Sequence, residues 1–355
     1  MAEAIPDAMN PGGVSTSVTL REVAVRAGVH PATVSRALNP QTQQMVSSET
    51  LERVLEAARE LNYRTNTIAR SLRTQRSLTV GVVIPDITNP LFPRMMRGID
   101  DALEEVQYAS LVTYTDGRDE RLLERFELLR QRGVDGLIVA TARHSDAVLD
   151  SLERSGIAVV QINRRSRNKD IPSVTADDRA GTRAAVEYLV ELGHRHIAHI
   201  GGPQRHSTGR TRLAEFRSAM RRAGLGVPEG SAVTGRSVTI QEGFRVGREV
   251  LAGHPEVTAI LAGNDLMALG CYDALRSAGR RCPQDVSVIG FNDMEFADRF
   301  DPPLTTIHFD HYEMGAAAVE ILMRRLRSGG PGNQPAARLE LDTELIVRAS
   351  TAPPR

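Results

Sequence analysis

From residue 78 onward, short apolar runs alternate with amphipathic stretches, and this alternation restricts the fold more than any other feature. The runs are rich in β-branched residues and lie at 78–84, 110–114, 136–140, 158–162, 197–200, 259–262 and 286–290. Stretches of helical periodicity lie between them, for example at 92–105, 118–131, 180–191, 213–223 and 266–278. Strands that are apolar on both faces and joined through helices form parallel sheets covered on both sides. The number of runs favours two doubly wound lobes over one sheet.

The first part of the chain has a different pattern. Residues 1–17 mix Pro, Gly, Ser and Ala without periodicity, which predicts a disordered tail. Residues 19–62 predict three short helices. Thr19 and Glu22 form a capping-box pattern, Gly28 ends the first helix, and Pro31 suits the first turn of the second, at about 31–38. A third helix is predicted at about 48–62. The predicted fold is therefore a small all-α headpiece followed by an α/β core.

Charge is distributed unevenly between these parts. The whole chain has 44 basic and 44 acidic residues and no net charge. Residues 18–76, however, contain nine arginines and five acids, which gives 9 − 5 = +4. A local basic excess is typical of a segment that binds the phosphate backbone of DNA. A solvated helical surface would show the same excess, so charge alone leaves both interpretations open.

The first two predicted helices, joined by a turn that contains Gly28, have the arrangement of a helix-turn-helix unit. In that unit the second helix enters the major groove of DNA and its N-terminal side chains reach the base edges. Pro31, Ala32 and Arg36 would face the groove, and Arg36 can form paired hydrogen bonds to guanine. Thr33 and Ser35 suit phosphate oxygens. Any small three-helix bundle would share this spacing.

The residues themselves are more specific than their spacing. Residues 18–39, VTLREVAVRAGVHPATVSRALN, closely resemble the headpiece of the LacI/GalR family of bacterial transcription regulators. Two further segments follow in the family's order: VSSETLERV at 46–54 leading to LNYR at 61–64, and NTIARSLR at 66–73 before GVVIPD at 81–86. The resemblance covers about residues 18–350. It implies a homodimeric regulator, most often a repressor, whose affinity for near-palindromic operator DNA is controlled by a small molecule.

The resemblance also implies a set of DNA-binding residues. They are Thr19, His30, Pro31, Ala32, Thr33, Ser35, Arg36, Asn39, Ala69, Arg70, Leu72 and Arg73. His30 departs from the family, which more often has a Ser or Thr cap there, but it can contact a phosphate. Residues 66–76 match a hinge helix that folds on DNA, with Leu72 as the wedge that enters the minor groove. A flexible linker whose Leu72 packs on the core is the alternative.

A ligand cleft is expected where two such lobes meet, since ligands bind at the carboxyl ends of the strands in open α/β sheets. Strand ends and the resemblance together give the candidate effector-binding residues. They are Asp86, Asn89, Phe92, Thr115, Arg164, Arg212, Gln241, Phe244, Asn264 and Asn292. Each one has an ordinary structural alternative, such as a surface ion pair for Arg212 or a helix cap for Asn264. As a set they suit a small hydroxylated or anionic ligand, and the family's commonest effectors are sugars or sugar derivatives.

The cleft motifs also depart from the family at three positions. Leu91 replaces the first aromatic residue of an Asn-Pro-aromatic-aromatic loop, which weakens the case for stacking on a sugar ring. Asn163 replaces the aspartate of a common Asp-Arg pair, and Asn292 stands where many members have aspartate. Each of these two changes removes a negative charge.

The sequence also predicts the domain limits and the assembly. We expect a headpiece at 18–65, a hinge at 66–76, a first lobe at 77–175 with 306–334, and a second lobe at 176–305 with 335–355. The resemblance implies a homodimer, and only seven residues follow Arg348, too few for a coiled-coil tail of several heptads, so no coiled-coil tetramer is expected. The N-terminus lacks the features of a secretory signal, so we expect a bacterial cytoplasmic protein associated with the nucleoid.

Other classes of function have weaker support. No run approaches the length of a membrane span, and Cys271 and Cys282 lack the spacing of metal ligands. His194, His196 and His199 are clustered, but His196 and His199 would face opposite sides of a strand, so no metal, other cofactor or catalytic residue is predicted. A periplasmic-type solute-binding protein and a sugar-modifying enzyme remain as alternatives. The headpiece argues against the first, and the lack of an activated nucleophile against the second.

Overall fold

The computed structural model describes residues 18–39, 42–63, 76–118, 120–329 and 336–355. The chain divides into two compact units, Met1–Gln75 and Arg76–Arg355. The predicted tail at 1–17 and the hinge residues 66–75 lie outside the described residues.

The described part of the first unit is helical, as predicted. Its helices are α1 (Leu20–Ala27), α2 (Pro31–Ala37) and α3 (Ser48–Glu60), with a 3₁₀ turn at Gln43–Met45 before α3. The predicted capping box is present, since the Thr19 backbone N–H donates to Glu22 Oε2 at 2.6 Å and the Glu22 backbone N–H donates to Thr19 Oγ1 at 3.4 Å. Gly28 ends α1 with a φ of +66°, a left-handed conformation that favours glycine.

The three helices enclose a small core. Val23 and Ala27 of α1, Val34 of α2, and Val54 and Ala57 of α3 are all buried. These positions repeat at helical spacing, so one apolar stripe from each helix faces the centre and the polar faces remain exposed. The packing fixes which face of α2 is available to a partner.

The second unit contains two sheets. The first lobe begins with these elements: β1 (Thr79–Ile84), α4 (Phe92–Glu105), β2 (Ala109–Tyr114), α5 (Arg121–Gln131), β3 (Gly136–Val139), α6 (Ala147–Arg154), β4 (Ala158–Ile162) and β5 (Ser173–Ala176). The rest of the chain forms these: α7 (Asp178–Glu191), β6 (Ile197–Gly201), α8 (Ser207–Arg222), β7 (Ala232–Thr234), α9 (Ile240–Gly253), β8 (Ala259–Ala262), α10 (Asp265–Ser277), β9 (Ser287–Asn292), β10 (Thr305–His308), α11 (His311–Arg327), β11 (Arg338–Leu341) and β12 (Glu344–Ile346).

Each sheet has six strands. The first has the order β11-β5-β4-β3-β1-β2 and the second β12-β10-β9-β8-β6-β7. All pairs are parallel except β10 with β12, which is antiparallel. Strands β3, β4, β6, β8 and β9 are buried along their whole length. The predicted architecture of two doubly wound lobes is confirmed.

The chain crosses between the lobes after β5, after β10 and after β11, and the predicted lobe limits are wrong at two of these points. β10 pairs with β9 in the second sheet, so residues 306–308 lie outside the first lobe in which they were expected. β11 pairs with β5 in the first sheet, so residues 338–341 lie outside the second lobe in which they were expected. The residues of β10 (TTIH) and β11 (RLEL) are largely polar, so neither strand has an apolar run that would indicate its sheet.

Strand β2 differs from the other predicted strands because it lies at an edge of its sheet. Leu111, Val112 and Tyr114 on this strand are 36–40% exposed. An apolar run predicts a strand without indicating its neighbours, so its exposure could not be read from the sequence.

Candidate functional site

A cleft lies between the two lobes, at the carboxyl ends of their strands. It contains about 430 Å³ of unfilled space, including its open mouth. Its lining residues are Asn89, Leu91, Phe92, Asn163, Arg164, Gly202, Thr208, Gly209, Arg212, Val238, Gly263, Asn264 and Asn292. Six of the ten predicted effector-binding residues are therefore brought together here: Asn89, Phe92, Arg164, Arg212, Asn264 and Asn292.

Arg212 is held rigidly within the second lobe. Its Nε and Nη2 lie 2.8 and 2.7 Å from Asp178 Oδ1, and its Nη1 donates to the Gly263 carbonyl at 2.6 Å. Its Cζ lies 3.4 Å from the centre of the Phe291 ring, a cation–π contact. Burial raises the pKa of Asp178, and the neighbouring charge of Arg212 opposes this shift. The guanidinium therefore has a counter-charge, a carbonyl acceptor and an aromatic face.

Arg164 approaches the cleft from the first lobe, directly after β4. It is only 9% exposed, and its Nη1 lies 3.4 Å from Nε2 of His206, which caps α8 in the second lobe. Its Nε has no hydrogen-bond partner among the described residues. Burial, followed by the charges of Arg205 and Arg212, lowers the pKa of Arg164 to about 10, so it stays charged at neutral pH.

The amides in the cleft differ in how much they are already engaged. Asn264 caps α10, since its Oδ1 accepts the Met267 N–H at 2.9 Å, while its Nδ2 donates to the Val238 carbonyl at 3.3 Å. Asn163 and Asn292 have positive φ values of 62° and 114°. Such conformations favour glycine and are tolerated by asparagine, and they turn the backbone sharply where each strand ends. Asn264 thus has the capping role considered from the sequence, and it also lies in the cleft lining.

The loop after β1 closes the cleft on the first-lobe side. Asn89 Oδ1 accepts the Leu91 N–H at 3.0 Å, which fixes the turn before α4. Leu91 and Phe92 are 4% and 2% exposed, so this part of the lining is apolar and packed rather than an open stacking surface.

The structure places four predicted effector residues outside the cleft lining. Asp86 folds back, and its Oδ1 accepts hydrogen bonds at 2.8 Å from both the N–H and the hydroxyl of Thr88. Thr115 is buried, with its hydroxyl 3.5 Å from the Pro85 carbonyl. Gln241 is exposed on α9, and Phe244 packs partly buried against the second-lobe core. A position near a strand end is therefore not sufficient for a residue to reach the cleft.

In the headpiece, α2 presents the predicted DNA-reading surface. Ala32 and Arg36 are exposed, and Pro31, Thr33 and Ser35 are partly exposed on the same helix. His30 caps α2, because its Nδ1 accepts the Ala32 N–H at 3.2 Å. The ring proton is then on Nε2, where it can donate to a phosphate. His30 can therefore serve as a cap and as a phosphate contact.

The other predicted DNA-binding residues lie before or after α2, and four of them belong to the hinge. Thr19 is exposed but engaged in the capping box, and Asn39 is partly exposed directly after α2. Ala69, Arg70, Leu72 and Arg73 lie outside the described residues.

Known proteins resemble both units. Residues 19–66 match the profile of bacterial regulatory proteins of the lacI family, and residues 186–351 match a periplasmic binding protein-like domain. The chain is 34% identical to the ribose operon repressor of Escherichia coli strain K12 over 333 residues, which are 94% of this chain and 99% of that protein. The chain belongs to the LacI family of bacterial regulators. It is a DNA-binding transcriptional regulator with a helix-turn-helix headpiece.

Solved structures agree with the LacI family assignment. The lac repressor dimer bound to operator and the anti-inducer ONPF has a TM-score of 0.79 at 30% identity, covering 95% of this chain and 100% of that chain. A LacI family regulator from Enterococcus faecium with bound ribose has a TM-score of 0.67 at 30% identity, covering 78% of this chain and 100% of that chain.

Several residues of the cleft in this LacI family member were missed from the sequence. Gly202 and Gly263 directly follow β6 and β8, so the strand-end rule would have found them. A Cβ on Gly263 would lie 2.8 Å from the backbone nitrogen of Gly202, so glycine allows these two strand ends to approach closely. Thr208 and Gly209 open α8. Val238 lies in a loop before α9 and had no local signal.

The clustered histidines have separate surroundings. His194 Nδ1 lies 2.9 Å from the Thr258 hydroxyl, and its Nε2 lies 2.9 Å from the Ala352 carbonyl. His199 Nδ1 donates to the Leu261 carbonyl at 3.0 Å, while His196 is exposed. Within the described ranges, no group of three His, Cys, Asp or Glu side chains is placed to hold a metal ion. None of the described helices is long and apolar enough to span a membrane.

Proposed function

We propose that this regulator is a homodimeric repressor of near-palindromic operator DNA, controlled by a small-molecule effector that binds in the cleft between the lobes. The observation that carries the proposal is the meeting of Asn89 and Arg164 from the first lobe with Arg212, Asn264 and Asn292 from the second. A ligand that contacts both lobes favours one relative orientation of them, and that preference is the basis of allosteric control. The ribose operon repressor and the ribose-bound regulator support a sugar or sugar derivative.

On the DNA side, we propose that Arg36 reads a base and that Thr33, Ser35 and His30 contact phosphates. The exposure of Arg36 on α2 supports this assignment. In the hinge, Leu72 is proposed as the minor-groove wedge, with Ala69, Arg70 and Arg73 beside it. These roles rest on the match of 66–73 to the family's hinge.

The proposed dimer is supported by the exposed edge of the first sheet. Leu111, Val112 and Tyr114 are large apolar side chains that remain 36–40% exposed on β2. A second copy of the chain would cover them, and the structurally similar lac repressor is a dimer.

We also propose that the cleft binds its ligand without catalysing a reaction, in a protein that acts in the bacterial cytoplasm. The described residues that line the cleft include one hydroxyl, that of Thr208, and no carboxylate or histidine. Recovery of the bound effector unchanged after prolonged incubation supports binding alone. Conversion of the ligand would favour the enzyme alternative.

The DNA-binding proposal is tested by fluorescence anisotropy with operator duplexes selected from a random library. We expect steep weakening of binding with salt, and about 10- to 100-fold weaker binding for Arg36→Ala, because a paired arginine–guanine contact is worth about 1–3 kcal/mol. Arg59→Ala on α3 is the matched control, since it removes the same charge from an exposed position. Equal losses in the two variants would show that Arg36 supplies only charge. Undiminished binding by Leu72→Ala would reject the wedge, and absence of operator binding would favour a solute-binding protein.

A further inference from the structure

Arg164 is a buried cation that has no counter-charge among the described residues. It is 9% exposed, its Nη1 lies 3.4 Å from His206 Nε2, and its Nε has no hydrogen-bond partner among the described residues. No carboxylate within the described ranges forms an ion pair with it. Desolvating an ionised group is costly unless an opposite charge compensates for the loss of water. A compensating group is therefore missing from the part of the chain that the structure describes.

His206 does not supply the missing charge. Burial lowers the pKa of His206 to about 2, and the charges of Arg164, Arg205 and Arg143 act in the same direction. The ring is neutral, and because arginine can only donate, its Nε2 accepts and its proton is on Nδ1. That Nδ1 is buried without a partner. Each of these two contacting side chains therefore keeps one buried N–H donor, Nε of Arg164 and Nδ1 of His206, without an acceptor among the described residues.

The N-terminus of α8 lies at the same place. This helix runs from Ser207 to Arg222, and its capping residue His206 makes no side-chain capping hydrogen bond. Its first turn contributes Thr208 and Gly209 to the cleft lining. A Cβ on Gly209 would lie 2.5 Å from the Pro203 carbonyl, so glycine is required for this close approach. The positive end of the helix dipole therefore adds to the charge of Arg164.

The cleft contains no described carboxylate to balance this charge. Arg212 is already neutralised by Asp178, which leaves Arg164 as the uncompensated charge of the lining. Asn163 and Asn292 stand where related regulators commonly have aspartate, and both are neutral. An aspartate at 163 would have been the adjacent counter-charge to Arg164.

We propose that the effector carries an anionic group, a carboxylate or a phosphate, which binds between the Arg164 guanidinium and the N-terminus of α8. The amides of Asn163, Asn264 and Asn292 then bind the neutral, hydroxylated part of the same molecule. This inference rests on the proposed function, because it specifies the chemical class of the effector. A polyhydroxylated acid or a sugar phosphate fits this description, and a neutral sugar leaves the charge of Arg164 uncompensated.

The anion site is tested with minimal probes on the full-length chain. The melting temperature is measured in chloride, acetate and inorganic phosphate at constant pH and ionic strength. We expect acetate or phosphate to raise the melting temperature of the wild type, because ligands that bind the native state stabilise it, and we expect Arg164→Gln to lose this rise. Arg299→Gln, whose side chain is 79% exposed, is the control and should keep the rise. A rise in acetate alone identifies a carboxylate site, and a rise in phosphate alone a phosphate site.

Two outcomes of this experiment would overturn the anion site. One is the absence of any rise in the wild type. The other is an equal rise in the wild type and Arg164→Gln, which would place the anion elsewhere on the protein.

A second experiment changes the neighbouring charge instead. Asn163→Asp should weaken binding of D-glucuronate or ribose 5-phosphate by about 10- to 100-fold in calorimetry, as expected for loss of a charge-assisted contact. Asn163→Gly loses the same amide without adding charge, and glycine suits the φ of 62°, so it should lose only the amide contact and weaken binding less than Asn163→Asp does. Tight binding of neutral ribose or glucose with no effect of Arg164→Gln would contradict an anionic effector. Operator binding measured on the same samples tests the regulatory function separately, since that function would survive a neutral effector.

Discussion

Arg164 and Arg212 line the same cleft from opposite lobes, yet their surroundings differ. Arg212 contacts Asp178, the Gly263 carbonyl and the Phe291 ring, all within the second lobe. Arg164 contacts a neutral histidine across the cleft, and its Nε has no partner among the residues that the structure describes. Both side chains are at least nine-tenths buried, so exposure to water does not explain the difference.

The difference separates a structural charge from one that is available to a ligand. A buried ion pair with additional hydrogen bonds belongs to the lobe that contains it, and removing one member leaves the other uncompensated. An unpaired buried cation instead makes the unliganded protein less stable and strengthens the binding of an anion. Such exchange of stability for binding is common at functional sites. The same substitution at the two positions should therefore have opposite consequences.

The largest effect is expected for Arg212→Gln. This change leaves the Asp178 carboxylate buried without a cation, and breaking a buried pair in this way costs about 3–5 kcal/mol of unfolding free energy. Chemical denaturation of the full-length protein, followed by circular dichroism, measures the loss. The double variant Arg212→Gln with Asp178→Asn should recover part of it, because the uncompensated charge is then removed. A loss below about 1 kcal/mol would mean that Arg212 is not structurally paired in solution.

Asp265 extends the comparison to an acidic group that lacks an ion-pair partner among the described residues. Its two oxygens accept hydrogen bonds from the Thr306 hydroxyl at 2.5 Å and the Met294 N–H at 2.7 Å. Burial raises the pKa of Asp265 from 3.8 to about 7, in contrast to Arg164, which stays charged at neutral pH. An aspartate can thus relieve the cost of burial by keeping its proton, whereas an arginine cannot.

Because Asp265 keeps its proton in the folded protein, the free energy of unfolding should depend on pH, and Asp265→Asn should remove this dependence. Between pH 3.8 and about 7 the unfolded chain releases the proton while the folded chain retains it, so rising pH favours unfolding through this group. The raised pKa of Asp265 contributes at most about 4 kcal/mol to the free energy of unfolding. This contribution is present below the pKa that Asp265 has in the unfolded chain, and it is lost as pH rises through the pKa that Asp265 has in the folded chain. The stability of Asp265→Asn relative to wild type should therefore increase from pH 4 to pH 7. Melting curves across this range measure the difference, and a constant offset would contradict the raised pKa.

The sequence predicted correctly those strands that consist of one continuous apolar run. Strands such as β3 and β4 are buried on both faces, and their β-branched runs indicate this directly. Strands β10 (TTIH) and β11 (RLEL) are as short as β3 but have no continuous apolar run, so the sequence did not indicate their sheets. Their partners are determined by the crossings between lobes, which depend on long-range packing.

The site could be predicted to the level of strand ends and no further. The rule placed Asn89, Arg164 and Asn264 near the cleft, and the structure has them in its lining. It also selected Asp86, which instead bonds to Thr88, because loop geometry decides which side chain faces inward. The absence of a carboxylate beside Arg164 depends on contacts across two lobes, and no local motif indicates it.

The smallest effect, and the one of opposite sign, is expected for Arg164→Gln in the absence of anions. The substitution removes an uncompensated charge and keeps most of the aliphatic stem, so the free energy of unfolding should stay unchanged or rise by up to about 2 kcal/mol. Denaturation in dilute chloride buffer, beside Arg212→Gln, measures the two changes under one condition. Addition of an anionic effector should reverse the order of wild type and Arg164→Gln, because only the wild type gains stability from binding. A loss of several kcal/mol in Arg164→Gln without ligand would instead show that Arg164 has a counter-charge within the protein, and the distinction between the two arginines would no longer hold.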